Sequence, residues 1–233
     1  KHKLAFPMTA VTVEGAFEKM SLTFVSFTFV VTLSLLVILF GDFFAQKFET
    51  EKIRYYRLIR QAKSRTLLNH LLIPFLISLS FLLLTIIANY LVLGITSGNW
   101  GSLIYPYGQL SQVVTPYWQV DLWALGFLVL TLLFIITLSQ LLAVIFKKTL
   151  VVVGIELLLI VGYDFLHQKD LFKPFIKFLP FEYLFGVSVV FPDEKYLFGT
   201  NSMLIGAGYL LICSLIFYLL TNLLYQKWLY RTK

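Results

Sequence analysis

The residues of this chain that could perform chemistry are few and far apart. Glu156 lies inside an apolar stretch, seven residues beyond Thr149, or about 10 Å along a helix axis. An ionisable group in such a position is a functional candidate, and its structural alternative is a hydrogen-bonded glutamate that joins two helices. No histidine has a second His, Cys or carboxylate at metal-ligand spacing on one helical face: the three are His2, His70 and His167. The sequence therefore predicts neither a metal site nor a catalytic residue set.

The sequence also lacks the motifs of a serine nucleophile and of a phosphate-binding loop. The serines of the apolar stretches have no positioned base, and we expect them to hydrogen-bond to their own or a neighbouring helix: Ser26, Ser34, Ser78, Ser80, Ser139 and Ser214. A phosphate-binding loop GxxxxGK[ST] is absent, because no Gly is followed by Lys or Arg. We expect the chain not to be an enzyme. A membrane-embedded enzyme or protease centred on Glu156 is the alternative.

The elements that must position these residues are membrane-spanning helices. The mean hydropathy is +0.84, and only 13% of residues are charged, whereas roughly a quarter are charged in soluble domains. A spanning helix needs about 20 apolar residues. Five apolar stretches are candidates for such a helix. The fourth, residues 149–166, is shorter than the others, and we count it as a span because Lys147 and Lys148 separate it from the third, residues 122–146. We predict an all-α polytopic helical bundle in a lipid bilayer, with residues 21–233 as its transmembrane domain and spans at 22–44, 67–93, 122–146, 149–166 and 203–225.

Lys and Arg residues concentrate in alternate connectors. Residues 94–121 contain none, and Lys147 with Lys148 forms the next connector. The connector after the first span holds Lys47, Lys52, Arg54, Arg57, Arg60, Lys63 and Arg65, and the C-terminal tail adds Lys227, Arg231 and Lys233. Short basic loops stay on the cytoplasmic side of a membrane. We therefore predict that these connectors and the C-terminus are cytoplasmic, and we expect no nucleic-acid partner.

This orientation places the first residues outside. Residues 1–20 would form an outer loop, and a loop on that side requires a span before it. We therefore expect one further span upstream of Lys1, which gives six spans in the intact protein.

The segment before the last span, residues 165–202, is also placed on the outer side of the membrane, although it contains four lysines. It is strongly apolar, yet it is interrupted by Pro174, Pro180 and Pro192. Proline disrupts helices, and irregular backbone at membrane depth must be covered by protein. We expect residues 173–191 to form short re-entrant helices in the outer leaflet. A surface-lying amphipathic segment is the alternative.

The connector "ETEKIRYYRLIRQAKSR" has the pattern of an amphipathic helix over residues 52–65. Tyr55, Leu58, Ile59 and Ala62 follow the spacing of one apolar stripe. The cations of the connector occupy the remaining arc of the helix, and Ile53 and Tyr56 lie on that arc as well. Such a helix can anchor on anionic headgroups, or it can dock a soluble partner and transmit its motion.

The local order of these features resembles a known family. Acidic residues, a basic amphipathic helix, and then Ser64 and Arg65 leading directly into a long span resemble the coupling-helix region of type-two ATP-binding-cassette (ABC) exporter permeases. The Pro-interrupted outer segment and the final span with a basic tail agree with this resemblance. It covers nearly the whole chain as topology, but Ala62-Lys63 stands where many members have Pro, and the Gly common after the acidic pair is missing.

The resemblance implies a permease subunit that moves an amphipathic or hydrophobic substrate outward, such as a peptide, a lipid-linked molecule or a drug. It implies a separate ATPase that binds ATP and Mg, a second permease copy in a homodimer or related heterodimer, and a bacterial plasma membrane. It places the ATPase contact on the connector, at Arg54, Tyr55, Arg57, Leu58, Ile59 and Ala62. From the residues alone, Glu156 is the candidate pathway residue. A non-transporting immunity or scaffold protein is a further alternative.

Overall fold

Five long α-helices make up most of the described part of the protein. The structure is a computed structural model that describes residues 15–17, 19, 30–50, 52, 63–101, 106–107, 115–167, 179–184 and 202–231. All five helices are long and apolar enough to cross a membrane, which confirms the predicted all-α polytopic bundle. The helices are α1 (Val30–Glu49), α2 (Lys63–Ser97), α3 (Tyr117–Phe146), α4 (Thr149–His167) and α5 (Ser202–Arg231).

Two short elements lie in the connections between these helices. The two-residue strands β1 (Pro106–Tyr107) and β2 (Thr115–Pro116) pair antiparallel between α2 and α3. A 3₁₀ helix, Pro180–Leu184, lies between α4 and α5. It is the described part of the predicted re-entrant segment 173–191, together with Leu179, so re-entry of that segment stays a prediction.

Helix α3 is the centre of the bundle. Most of its length is buried, whereas α2, α4 and α5 expose most of their surface. A helix that is apolar on all sides is typical of one enclosed by other helices, and Phe134, Ile135 and Ile136 of α3 are buried in the main core. Large apolar side chains are exposed on the outer helices, among them Leu84 and Leu204. Exposed apolar surface of this extent suits contact with lipid rather than with water.

A two-residue turn reverses the chain between α3 and α4. Lys147 has a φ of 57°, the left-handed conformation that commonly ends a helix, and its N–H donates to the Ala143 carbonyl at 3.0 Å. The Lys148 carbonyl then accepts the N–H of Val152 at 3.1 Å and begins α4. The two cations therefore lie together at one end of an antiparallel helix pair.

The two ends of the bundle differ in charge. The end of α1, the start of α2, the α3–α4 turn and the end of α5 lie together, and we call this the basic end. At the other end, called the opposite end, the N–H groups of Ala16 and Phe17 donate to the carbonyls of Asn99 and Trp100 at 2.9 and 3.3 Å. Successive connectors therefore alternate between the two ends.

The helices extend further than the apolar stretches that predicted them. Helix α1 continues past Phe44 to Glu49, and α5 continues to Arg231. Helix α2 begins at Lys63, so the last residues of the predicted coupling helix 52–65 belong to α2. Backbone hydrogen bonds do not require apolar side chains, and a helix can therefore continue beyond the span that hydropathy detects. Most of residues 1–20 and all of 53–62 lie outside the described residues.

Candidate functional sites

Glu156 lies where α1, α3 and α4 meet. Its side chain is fully buried, and neither carboxylate oxygen has a hydrogen-bond partner among the described residues. Ser139 of α3 lies beside the carboxyl group. On α1, a Cβ added to Gly41 would lie 3.1 Å from the Glu156 Oε2 atom and 2.8 Å from the Val153 Cγ2 atom. The site joins three helices, and the pathway role of Glu156 stays a prediction beside its helix-joining alternative.

Replacement of Gly41 by Ala is expected to destabilise the contact between α1 and α4. The new methyl group would overlap Val153, and overpacking of this kind costs about 1–3 kcal/mol. Gly154→Ala is the matched control, because a Cβ there meets no atom within 4 Å, and Ala favours helix over Gly by about 1 kcal/mol. Thermal unfolding in one detergent should give a lower Tm for Gly41→Ala and an unchanged or higher Tm for Gly154→Ala. Equal Tm values for the two variants would contradict the close packing.

A small cavity with a mostly apolar surface lies near the basic end, where α1, α2, α3 and α5 meet. It has a volume of about 20 Å³ and is lined by Lys47, His70, Gln140 and Tyr225 together with apolar side chains. The Lys47 Nζ atom donates to Nδ1 of His70 at 3.1 Å and lies 3.8 Å from the centre of the Phe43 ring. An ammonium group only donates, so Nδ1 accepts and the ring proton of His70 lies on Nε2.

Gln140 is a buried polar residue of this cavity that the sequence did not single out. Its side chain is 2% exposed, and neither Oε1 nor Nε2 has a hydrogen-bond partner among the described residues. The signal was present in the sequence, because an amide within an apolar span tends to face protein or a polar cavity. Its neighbour Ser139 faces Glu156, so α3 carries two adjacent polar residues into the bundle.

The 3₁₀ helix Pro180–Leu184 packs into the opposite end of the bundle. The Tyr163 hydroxyl donates to the Glu182 carboxylate, and both side chains are buried. Tyr183 stacks on Tyr209 of α5, with ring centroids 5.5 Å apart and planes inclined by 18°. Burial raises the pKa of the Tyr183 hydroxyl to about 12, so this hydroxyl is neutral near pH 7. One aromatic stacking contact and one hydrogen bond thus hold this short helix against α4 and α5.

An apolar groove lies between α2, α3 and α5. Its volume is about 220 Å³. Its aliphatic hydroxyls are already engaged, since Thr137 donates to the Leu133 carbonyl at 2.9 Å and Ser214 donates to the Leu210 carbonyl at 2.6 Å. The groove therefore offers a hydrocarbon surface. Its lining residues are Leu68, Leu71, Leu133, Thr137, Leu211, Ser214, Leu215 and Tyr218.

Asp121 is another buried carboxylate that the sequence did not single out. It is 4% exposed, and neither of its oxygens has a hydrogen-bond partner within the described ranges. It precedes Ala124 and Leu128 on one stripe of α3, and these two residues pack with Leu82 and Ile86 of α2. At the edge of a predicted span an acidic residue is expected to reach water, which is why its burial could not be foreseen. Within the part of the chain that the structure describes, no three His, Cys, Asp or Glu residues lie close enough to hold a metal ion.

The structure describes the start of the basic connector, and the predicted ATPase contacts Arg54, Tyr55, Arg57, Leu58, Ile59 and Ala62 lie outside the described residues. Glu49, the last residue of α1, accepts the backbone N–H of Thr149, the first residue of α4, at 3.1 Å. A carboxylate at this position satisfies a free N–H group and interacts favourably with the helix dipole. The connector therefore starts from a point that is hydrogen-bonded to α4.

No protein-family model, curated protein or solved structure matches this chain. The five apolar helices and their alternating connections define a multi-pass α-helical membrane protein.

Proposed function

We propose that this chain is the permease subunit of an ABC exporter and forms half of a membrane dimer with a second copy or a related chain. The observation that carries the proposal is the hydrogen bond from the Thr149 N–H to Glu49. It links the start of the basic connector to the α3–α4 turn. A partner that docks on the connector would therefore act at a point that joins α1 to α4, which supports the proposed coupling to an external motor.

The motor in this proposal is a separate ATPase subunit, which binds ATP and Mg. The permease has no GxxxxGK[ST] loop of its own. The basic end faces the cytoplasm of a bacterial cell in this proposal, because short basic loops are retained on that side of the plasma membrane. The ATPase would then meet the connector from the cytoplasm, close to Lys147 and Lys148.

The substrate in this proposal is amphipathic or hydrophobic: a peptide, a lipid-linked molecule or a drug. The groove between α2, α3 and α5 supports this class, because its aliphatic hydroxyls donate to their own helices. Ligand sites are mostly apolar, and a few polar groups fix the orientation of the ligand. A small hydrophilic solute would find little to bind in this groove.

Purification of the tagged chain from its native membrane tests the proposal. We expect a complex that contains two permease chains and an ATPase, and whose hydrolysis rate rises when an amphipathic substrate is added. A variant ATPase without the Lys of its phosphate-binding loop is the control and should abolish hydrolysis. Recovery of the chain in a stable form with no nucleotide-hydrolysing partner would contradict the proposal.

A further inference from the structure

We propose that the groove between α2, α3 and α5 binds one acyl chain of an anionic phospholipid whose headgroup lies at the basic end. The groove is present because α2 and α5 each pack mainly against α3 and meet each other only marginally. Its rim is formed by Leu68, Leu211 and Leu215, which are between 41% and 54% exposed on the outside of the bundle. The groove therefore opens sideways, toward the lipid that surrounds a membrane-spanning bundle.

The inner wall of the groove offers only hydrocarbon. It includes Leu71, Thr137 and Ser214, which are all buried. Both hydroxyls donate to carbonyls of their own helices, so neither has a proton to offer a ligand. A ligand with polar groups along its length would lose its hydrogen bonds to water here. An acyl chain has none to lose, and each methylene that it buries strengthens its binding.

The dimensions of the groove suit a hydrocarbon chain rather than a helix of a second copy. Its volume of about 220 Å³ extends along α5 from Leu211 to Tyr218, about 10 Å, so its mean cross-section is about 20 Å². An α-helix with its side chains is about 10–12 Å in diameter, and its cross-section is several times larger. Interfaces between membrane helices are also enriched in small residues, whereas this rim has leucine on both α2 and α5.

The position of the groove along the bundle determines where the headgroup lies. Leu68 is about 8 Å from the start of α2, and Leu133 is about 20 Å from the end of α3. The hydrocarbon of one leaflet is about 15 Å deep, so the groove lies in the leaflet at the basic end. Lys148 and Lys227 are exposed at that end, and cations at a membrane surface favour anionic headgroups. The inference does not rest on the proposed transport, because the ligand is a lipid of the bilayer.

Photolabelling of the purified chain in phosphatidylcholine vesicles tests the inference. The probe is phosphatidylglycerol with a diazirine in the middle of one acyl chain, and mass spectrometry locates the adducts. We expect adducts on Leu71 and Leu133 of the groove to be at least as frequent as on Ile73, which is 52% exposed on another face of α2. Labelling of Ile73 without the inner wall would show only surrounding lipid and would overturn the inference. An unlabelled wall in a chain that runs as a dimer would assign the groove to a second copy.

The same diazirine on phosphatidylcholine tests the headgroup. Its adducts on Leu71 and Leu133 should be several-fold fewer, because this headgroup has no net charge. Equal labelling of the wall by the two probes would overturn the assignment of an anionic lipid.

Ser214→Leu gives an independent result, because the larger side chain fills the groove from α5. It displaces several methylenes of the bound chain, so adducts on Leu133 should fall by about tenfold or more. Ser80→Leu is the matched control: the Ser80 hydroxyl also donates to its own helix, to the Leu76 carbonyl at 2.8 Å, but Ser80 is exposed outside the groove. Labelling of Leu133 that is unchanged in Ser214→Leu would contradict the inference. If Ser214→Leu does not fold, the labelling of the parent chain by the two probes decides alone.

Discussion

Transport is expected to be lost when Leu58 and Ile59 are both replaced by Asp. These residues form the middle of the apolar stripe predicted on the connector helix, and two carboxylates on this stripe would abolish the ATPase contact that we propose. Loss of a buried anchor typically costs about 2 kcal/mol or more, so we expect substrate-stimulated hydrolysis and transport to fall by more than about tenfold. Both rates are measured on purified complexes in vesicles, and insertion into the membrane should be unchanged.

The matched control places the same two charges on the other face of the predicted helix. Ile53→Asp with Tyr56→Asp adds two carboxylates to the arc that carries the cations, and it should retain most of the activity. Full transport and stimulated hydrolysis in the Leu58 and Ile59 variant would show that the apolar stripe does not couple to a motor. An equal loss in both double variants would indicate a headgroup anchor that depends on net positive charge.

Replacement of Glu156 by Gln is expected to leave the fold intact and to reduce transport. The amide keeps the shape of the neutral acid in a site where Gly41 and Ser139 pack closely. If Glu156 exchanges a proton during transport, the amide cannot replace it, and the rate should fall by about tenfold or more, which is about 1.4 kcal/mol in the barrier. The rate should also become independent of pH between about pH 5 and 8, because the titrating group is gone.

Asp164→Asn is the control for this measurement, because it removes a carboxylate from the same helix at a partly exposed position. It should leave transport and its pH profile unchanged. Parent-like transport by the Glu156→Gln variant at every pH would remove Glu156 from the pathway and would leave it as a residue that joins α1, α3 and α4. A Tm close to that of the parent is required for either conclusion, and the Gln variant is expected to meet this condition.

The sequence predicted the helices well because their signals are local. A run of apolar residues that is long enough to span a bilayer identifies a helix without knowledge of its neighbours. Lys147 and Lys148 fall at the turn between α3 and α4 because charged residues are excluded from the bilayer interior. The helix ends were less predictable, as Glu49 illustrates. Glu49 is the first residue of the connector sequence that precedes the predicted helix 52–65, whereas in the structure it ends α1 and hydrogen-bonds to α4.

The contacts between helices could not be predicted because they depend on pairing. A glycine at position 41 indicates that a close approach is possible, but not that Val153 and Glu156 lie against it. Gln140 was detectable as an amide in an apolar helix, but its convergence with Lys47 and His70 requires three helices in register. Asp121 gave no sign that it is buried. The sequence thus shows which polar residues lie within apolar helices, but only the structure shows which residues they contact.

A photoreactive amino acid at Tyr55 tests most directly the claim that the connector docks an ATPase. Tyr55 belongs to the predicted apolar stripe, and irradiation of native membranes should join it to one soluble subunit, identified by mass spectrometry as carrying a GxxxxGK[ST] loop. The same probe at Trp100, at the opposite end of the bundle, should give no such adduct. An adduct at Tyr55 with a nucleotide-binding subunit is the result that we predict. Labelling of lipid alone, or of a protein without a nucleotide-binding loop, would contradict the proposed coupling.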